Sequence, residues 1–251
     1  MVTDSRTKTG MICEVVDIKG ANGDTINAYV ARPTGSGPFP GMVFIPHILG
    51  WDEWSFETTR KLAQHGFATI LPNIFFRAGE GNPVEVATAL RSAGGPQDQQ
   101  VVDDVAGALA YVRSQPWSNQ KVGLMGPCSG GRHSFLAGCR LGDQVDADVE
   151  LWGGNVVQSE NTEQRPVSPH TLTEGLTAPL LGLFGNDDQN PPPAQVDIHE
   201  AELKRLGKEH EFHRYDGAGH GFFYYDRPMY RQEQAVDGWG KVFDFLGKHL
   251  S

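Results

Sequence analysis

Short runs of apolar residues alternate along the chain with longer stretches in which apolar positions recur every three or four residues. Runs of the first kind read as buried strands and the longer stretches as amphipathic helices. Gly41–Ile45, Phe67–Leu71, the run entered at Lys121-Val122, Ala147–Trp152 and Pro179–Phe184 are of the first kind, and Glu211–Tyr215 reads as one more strand. Glu53–His65, Asp98–Ser114, Pro191–Leu206 and Arg231–Leu250 are of the second. Phe56, Leu62 and Ala63 mark the inner side of the first helix, and Gly66 ends it. Val101, Val105, Leu109 and Val112 form one apolar side of the next, and Val236, Trp239, Val242, Phe243 and Leu246 are the apolar positions of the last. Ahead of all these, Met11–Ile18 and Thr25–Ala31 flank the turn Ala21-Asn22-Gly23-Asp24 and predict a hairpin. The stretch from Phe76 to Pro96 is rich in Gly, Pro and Ala, with one short helix at Val84–Arg91. Asn155–Thr177 is polar and reads as a surface excursion.

Strands that alternate with helices imply a mostly parallel central sheet with helices on both faces, the opening hairpin adding an antiparallel edge. At 251 residues and 39% hydrophobic content, one α/β domain spanning residues 1–251 is expected. Lys plus Arg is 21 and Asp plus Glu is 31, a net charge of -10. That balance argues against nucleic acid and an anionic membrane as partners. It leaves room for a small anion, because one arginine in a cleft outweighs a distant net charge. No run approaches the length of a membrane span, and Met1–Arg6 shows no apolar core of a signal peptide. Three cysteines, an odd and sparse set, speak against a disulfide framework and for a reducing cytoplasm. No Cys/His grouping has zinc-site spacing, and no metal is expected. His210 and His213 lie three apart on a predicted strand, which sends them to opposite faces.

The candidate chemistry starts at Gly126-Pro127-Cys128-Ser129-Gly130-Gly131, between an apolar run and the helical segment Ser134–Ala137. Strand, sharp Gly-lined turn and helix are the context of a nucleophile elbow, G-x-[nucleophile]-x-G, with Cys128 in the nucleophile position. Side chains at Gly126 and Gly130 would collide with the neighbouring strand and helix. The turn sets Cys128 at a helix N-terminus, where unpaired N–H groups and the dipole favour a thiolate and a developing oxyanion. Framing on Ser129 instead loses the first glycine. An elbow nucleophile needs a base and an acid that orients it, in the chain order nucleophile, acid, histidine. Asp188 follows the strand Pro179–Phe184, and His220 follows Glu211–Tyr215. Parallel strands bring those loops to one edge of the sheet. Asp187 competes with Asp188, which is preferred because Gly185-x-x-Asp188 spans the turn.

Gly126-x-Cys128-x-Gly130-Gly131, Gly185-Asn186-Asp187-Asp188 and Gly219-His220-Gly221-Phe222 resemble the three signatures of the dienelactone hydrolase family, and the likeness runs from about Met11 to Leu250. The resemblance implies an α/β-hydrolase fold and an enzyme that opens enol-lactones or related small esters without metal or organic cofactor. It implies Cys128 as nucleophile, His220 as base, Asp188 as its partner, and the backbone N–H groups of Ser129 and Ile48 as oxyanion donors. Two departures bear on substrate. The best-studied members have a glutamate where this chain has His47, in His47-Ile48-Leu49-Gly50, and a histidine there would act as a cation or hydrogen-bond substrate. Arg77 matches an arginine that binds the substrate carboxylate, while Tyr224 replaces a second and Arg227 lies nearby out of register. Trp51, Phe76, Phe222, Phe223 and Tyr224 are candidates for an apolar pocket lining. A related esterase or lactonase is expected. A non-catalytic binder on the same fold, or a redox-sensing thiol with Cys139 as resolving partner, would be the alternatives.

Overall fold

Met42 and Phe44 pack on one face of the sheet while Val43 and Ile45 pack on the other, and all four are fully buried. A strand covered on both faces has no solvent side, so its sequence is continuously apolar rather than alternating. In the computed structural model, which describes residues 10–79 and 81–251, this strand lies near the middle of an eight-stranded sheet. The expectation for Met1–Arg6 lies outside the described residues. The elements are β1 (Met11–Lys19), β2 (Thr25–Pro33), β3 (Phe39–Phe44), α1 (Glu53–Gln64), β4 (Ala68–Pro72), α2 (Pro83–Ser92), α3 (Asp98–Ser114), β5 (Ser118–Pro127), α4 (Ser129–Leu141), β6 (Ala147–Leu151), β7 (Leu180–Gly185), α5 (Pro193–Arg205), β8 (His210–Tyr215) and α6 (Gln232–Leu250). The strand order is β1-β2-β4-β3-β5-β6-β7-β8. β1 and β2 pair antiparallel, as do β2 and β4, and every later pairing is parallel.

One face is covered by α3 and α4, whose Val101, Val105, Leu109, Val112 and Leu136 pack on Val43, Ile70 and Leu124. The other is covered by α1 and α6, with Trp54, Leu62, Val242 and Leu246 against Phe44, Met125 and Leu183. A third cluster joins Phe135 and Cys139 of α4 to Leu180 and to Leu203 of α5. Capping starts two of the helices. The Asp52 side chain accepts from Ser55 N ahead of α1, and Asn82 accepts from Val84 N with Pro83 opening α2.

Two helix faces differ from the sequence pattern. Val236 of α6 is 64% exposed, and the helix instead buries Ala235, Val242, Phe245, Leu246 and Leu250. Phe56 of α1 is only half-buried, because the inward stripe is carried by Trp54, Thr58, Thr59, Leu62 and Ala63. Periodicity alone cannot choose between adjacent stripes that are both partly apolar. Among the described residues no helix is long and apolar enough to cross a membrane. The parallel strands β3, β5, β7 and β8 release their following loops at the same edge, and those loops carry the candidate site.

Candidate active site

Cys128 has φ 56° and ψ −121°, outside the regions an ordinary side chain favours, and it caps the N-terminus of α4. The surrounding glycines are required by close backbone approach. A Cβ on Gly126 would lie 2.2 Å from Gly130 O, and one on Gly130 would lie 2.2 Å from Ile45 O. The turn is held from below, Cys128 N donating to Leu151 O (2.9 Å) and Arg132 N donating to Cys128 O (3.1 Å). Such a conformation costs on the order of 1–3 kcal/mol and persists only where the surroundings impose it.

The three loop residues from β5, β7 and β8 come together. His220 Nδ1 lies 2.9 Å from Asp188 Oδ2, and the other carboxylate oxygen of Asp188 accepts from Asn190 N at 2.8 Å. Asp188 is buried, while Asp187 is exposed. Burial disfavours the imidazolium, but hydrogen bonds to Asp188 and to Cys128 outweigh it and raise the His220 pKa to about 10. Cys139 is buried in the cluster beneath α4, its thiol pushed well above its ordinary pKa by burial, and Cys13 is exposed. A buried, protonated Cys139 is poorly placed to resolve an oxidised Cys128.

The loop after β3 runs against the elbow, where a Cβ on Gly130 would meet Ile45 O and Pro46 O, and it continues into His47 and Ile48. Ser129 is the first residue of α4, where helix geometry leaves its N–H without an intrahelical acceptor. His47 is buried and tied to an acid: its Nε2 lies 2.8 Å from Asp52 Oδ2. The same oxygen accepts from Arg227 Nη2 at 3.1 Å, and the Arg227 guanidinium sits 4.8 Å over the Tyr224 ring. Burial pushes the Asp52 carboxyl up, but His47 and the hydrogen bonds from Ser55 outweigh it and hold the group below its ordinary pKa. Tyr224 is buried among His47, Trp54 and Trp152, and its hydroxyl meets no hydrogen-bond partner among the described residues. Burial first, and the charge of Cys128 next, hold that phenol protonated. Asp52, which the sequence did not single out, and Arg227, which lies out of register with the second arginine position, therefore stand together beside His47 and Tyr224. The one local signal was Asp52 as an N-cap, which says nothing of its second role.

The remaining candidates separate. Phe222 is fully buried, packed on Trp152, Phe223 and Tyr215, and is a core residue rather than a pocket wall. Trp51 donates its Nε1 to Leu71 O and lines a cavity of about 350 Å³ with Leu49, Phe56, Phe75 and Phe76. Arg77 does not stand free for a carboxylate. Its Nη1 lies 2.7 Å from Asp104 Oδ2, its Nη2 3.0 Å from Asp104 Oδ1 and its Nε 2.8 Å from Asp24 Oδ2. Asp104 is fully buried and also accepts from Ala21 N, so Arg77 neutralises a structural acid. An arginine missed by the sequence reading, Arg165, lies in the polar excursion after β6. Its Nε is buried without a hydrogen-bond partner among the described residues. No group of three or more His, Cys, Asp or Glu among the described residues is arranged to hold a metal ion.

Comparison with known proteins matches residues 26–250 to the dienelactone hydrolase family. The chain is 31% identical over 245 residues to a "Putative carboxymethylenebutenolidase" from Methylorubrum extorquens, covering 96% of this chain and 82% of that protein. It is 29% identical over 239 residues to a "Probable 2-oxo-3-(5-oxofuran-2-ylidene)propanoate lactonase" from Bradyrhizobium sp, covering 94% of each. Among solved structures, the "Putative Dienelactone Hydrolase" from Klebsiella pneumoniae superposes with a TM-score of 0.87 at 28% identity, covering 96% of this chain and 100% of that one.

Proposed function

The chain belongs to the dienelactone hydrolase family and has the α/β-hydrolase fold, and from that premise we propose that it opens lactones or related carboxylic esters through a thioester on Cys128. The observation that carries the reading is a strained cysteine at a helix N-terminus whose loop meets a histidine that an aspartate holds at 2.9 Å, and against burial Asp188 and Cys128 together raise the histidine pKa. Cys128 passes its S–H proton to His220 Nε2 and attacks the acyl carbon as the thiolate, while the carbonyl π pair moves to oxygen. The N–H groups of Ser129 and Ile48 meet that oxyanion, each such donor contributing roughly 3 kcal/mol to the transition state. His220 gives its proton to the departing alkoxide as the C–O bond breaks, leaving a thioester and an alcohol. In a lactone the alcohol stays tethered to the acyl group. His220 then takes a proton from water, which attacks the thioester and releases the acid and the thiolate. Asp188 keeps the Nδ1 proton in place, so that Nε2 faces the chemistry, and stabilises the imidazolium.

A carboxymethylenebutenolidase-type lactone is the substrate class most consistent with the named relatives. The test is a hydrolysis screen over lactones and short esters, combined with rapid acid quench and intact mass. An adduct of the acyl mass on Cys128 during turnover is expected. Stoichiometric alkylation should label Cys128 before Cys13 or Cys139 and abolish activity in step. Full activity with Cys128 alkylated rejects the reading.

A further inference from the structure

Two residues beside the elbow hold buried hydrogen-bond donors that the fold leaves unused. Trp152 is fully buried and Tyr224 is 3% exposed, yet neither Trp152 Nε1 nor the Tyr224 hydroxyl has a hydrogen-bond partner among the described residues. An unpaired buried donor is costly, and two in one aromatic cluster call for an acceptor from outside the fold. Their rings meet edge to face with centroids 5.9 Å apart. The catalytic loops place both. Trp152 follows Leu151, whose carbonyl accepts from Cys128 N at 2.9 Å. Tyr224 follows His220 by four residues, and its N donates to Gly221 O at 2.9 Å. That turn folds its ring onto Gly221, where a Cβ would come within 2.4 Å of Tyr224 Cδ2. On another side the ring lies 5.2 Å from that of His47, the residue before Ile48. Cys128 packs on the same cluster as Trp152 and Tyr224. The phenol is thus enclosed by neighbours of the nucleophile, of the base and of the oxyanion loop. Trp152 is also the one aromatic residue among those described with a positive φ, 39°, a conformation that a bulky side chain keeps only under constraint and that gathers at working sites.

We propose that the Tyr224 hydroxyl is a further catalytic group, a third donor to the oxyanion that forms when Cys128 attacks the ester, and that Trp152 positions it; the proposal rests on the hydrolase reading above. The nearest acid does not compete for the phenol proton, because Asp52 Oδ1 accepts from Ser55 N and Oδ2 faces His47 and Arg227. Burial, then the charge of Cys128, push the Tyr224 pKa well above its ordinary value, while the Trp152 N–H pulls it the other way. Such a phenol stays protonated and can only be a donor to an arriving anion. Two neutral donors carry no charge to balance a permanent anion. They suit a charge that exists only in the transition state, which fixed dipoles meet without reorganisation. When the hydroxyl turns its proton to the oxyanion, its lone pairs are left to the neighbouring indole N–H, so one event pairs both donors.

The experiment compares wild type with Tyr224→Phe. The hydroxyl bonds nothing in the fold, so the variant keeps the packing, and its urea midpoint should be unchanged or raised. On 4-nitrophenyl acetate it should lower kcat and kcat/KM alike by about a hundredfold and leave KM within about twofold, because the contact exists only in the transition state. Affinity for an aryl trifluoromethyl ketone, whose carbonyl Cys128 converts to a hemithioketal oxyanion, should fall by a similar factor. Alkylation of Cys128 by iodoacetamide, a displacement that forms no oxyanion, should stay within about twofold of wild type. An unchanged kcat/KM, a loss confined to KM, alkylation slowed in step with turnover, or activity lost only in step with stability each overturns the proposal and leaves the hydrolase reading standing. A wild type that turns over no ester or lactone rejects the hydrolase reading, and the proposal with it.

Discussion

Two sets of loops meet at the candidate site, and different forces set their side chains. The loops after β5, β7 and β8 carry Cys128, Asp188 and His220, and short-range backbone geometry places them. Gly126 and Gly130 have no room for a Cβ, Cys128 is forced to positive φ, and the strand ends deliver the acid and the histidine to one edge. The loops after β3 and β4 carry His47 and Arg77, and pairing with an acid, Asp52 close by for His47 and Asp104 far along the chain for Arg77, decides what each can do. Arg77 meets Asp104 across 27 residues, Arg132 meets Asp98 across 34, and Arg227 meets Asp52 across 175. Arg165 meets none among the described residues. A catalytic position can thus be imposed locally, whereas a charged residue is free or occupied only by the accounting of the whole fold.

The sharpest way to break the comparison is at the acid. Asp188→Asn should lower kcat by about 10⁴-fold with the fold intact, because the histidine loses its tautomer and its counterion, and Asp187→Asn should change it little. The reverse ranking in steady-state kinetics would move the orienting role by one residue and remove the local regularity of the first set. The next effect is on stability. Arg77→Met leaves the fully buried Asp104 without its cation and should cost about 3 kcal/mol in urea unfolding. It should leave the relative turnover of a carboxylate-bearing ester and its neutral methyl ester unchanged; a selective loss on the carboxylate-bearing one would return Arg77 to the substrate site. Gly130→Ala probes the elbow itself, pushing a methyl onto Ile45 O. It should cost about 2 kcal/mol and reduce Cys128 alkylation, checked by thermal unfolding and labelling rate.

The smallest effect is a pH dependence. The His220 pKa is raised from 6.5 to about 10 in the folded chain. A raised folded-state pKa contributes stability fully present below the unfolded value, and that contribution is lost as the pH rises through about 10. The difference in Tm between wild type and Asp188→Asn should therefore be largest at or below pH 6.5 and narrow steadily toward pH 10. A difference that grows with pH would show that the pair is not charged as the geometry implies.

Several features were readable from the sequence because short-range physics determines them. Continuous apolar runs mark strands buried on both faces, and α3 begins and ends at the residues that its repeat predicts. The Gly-x-Cys-x-Gly-Gly spacing is demanded by the close approach of β3, β5 and α4, so the elbow announces itself in six consecutive residues. Other features were decided only by the tertiary structure. Phe222 reads like a pocket wall and lies in the core, because adjacent aromatics after a turn carry no sign of which one faces inward. Val236 fits the apolar stripe of α6 and faces solvent, because neighbouring stripes on a helix differ by one residue of rotation. The pairings of Arg77 and Arg227 were equally hidden. An ion pair depends on which acid the fold brings within about 3 Å, and contacts separated by tens of residues leave no trace in local pattern.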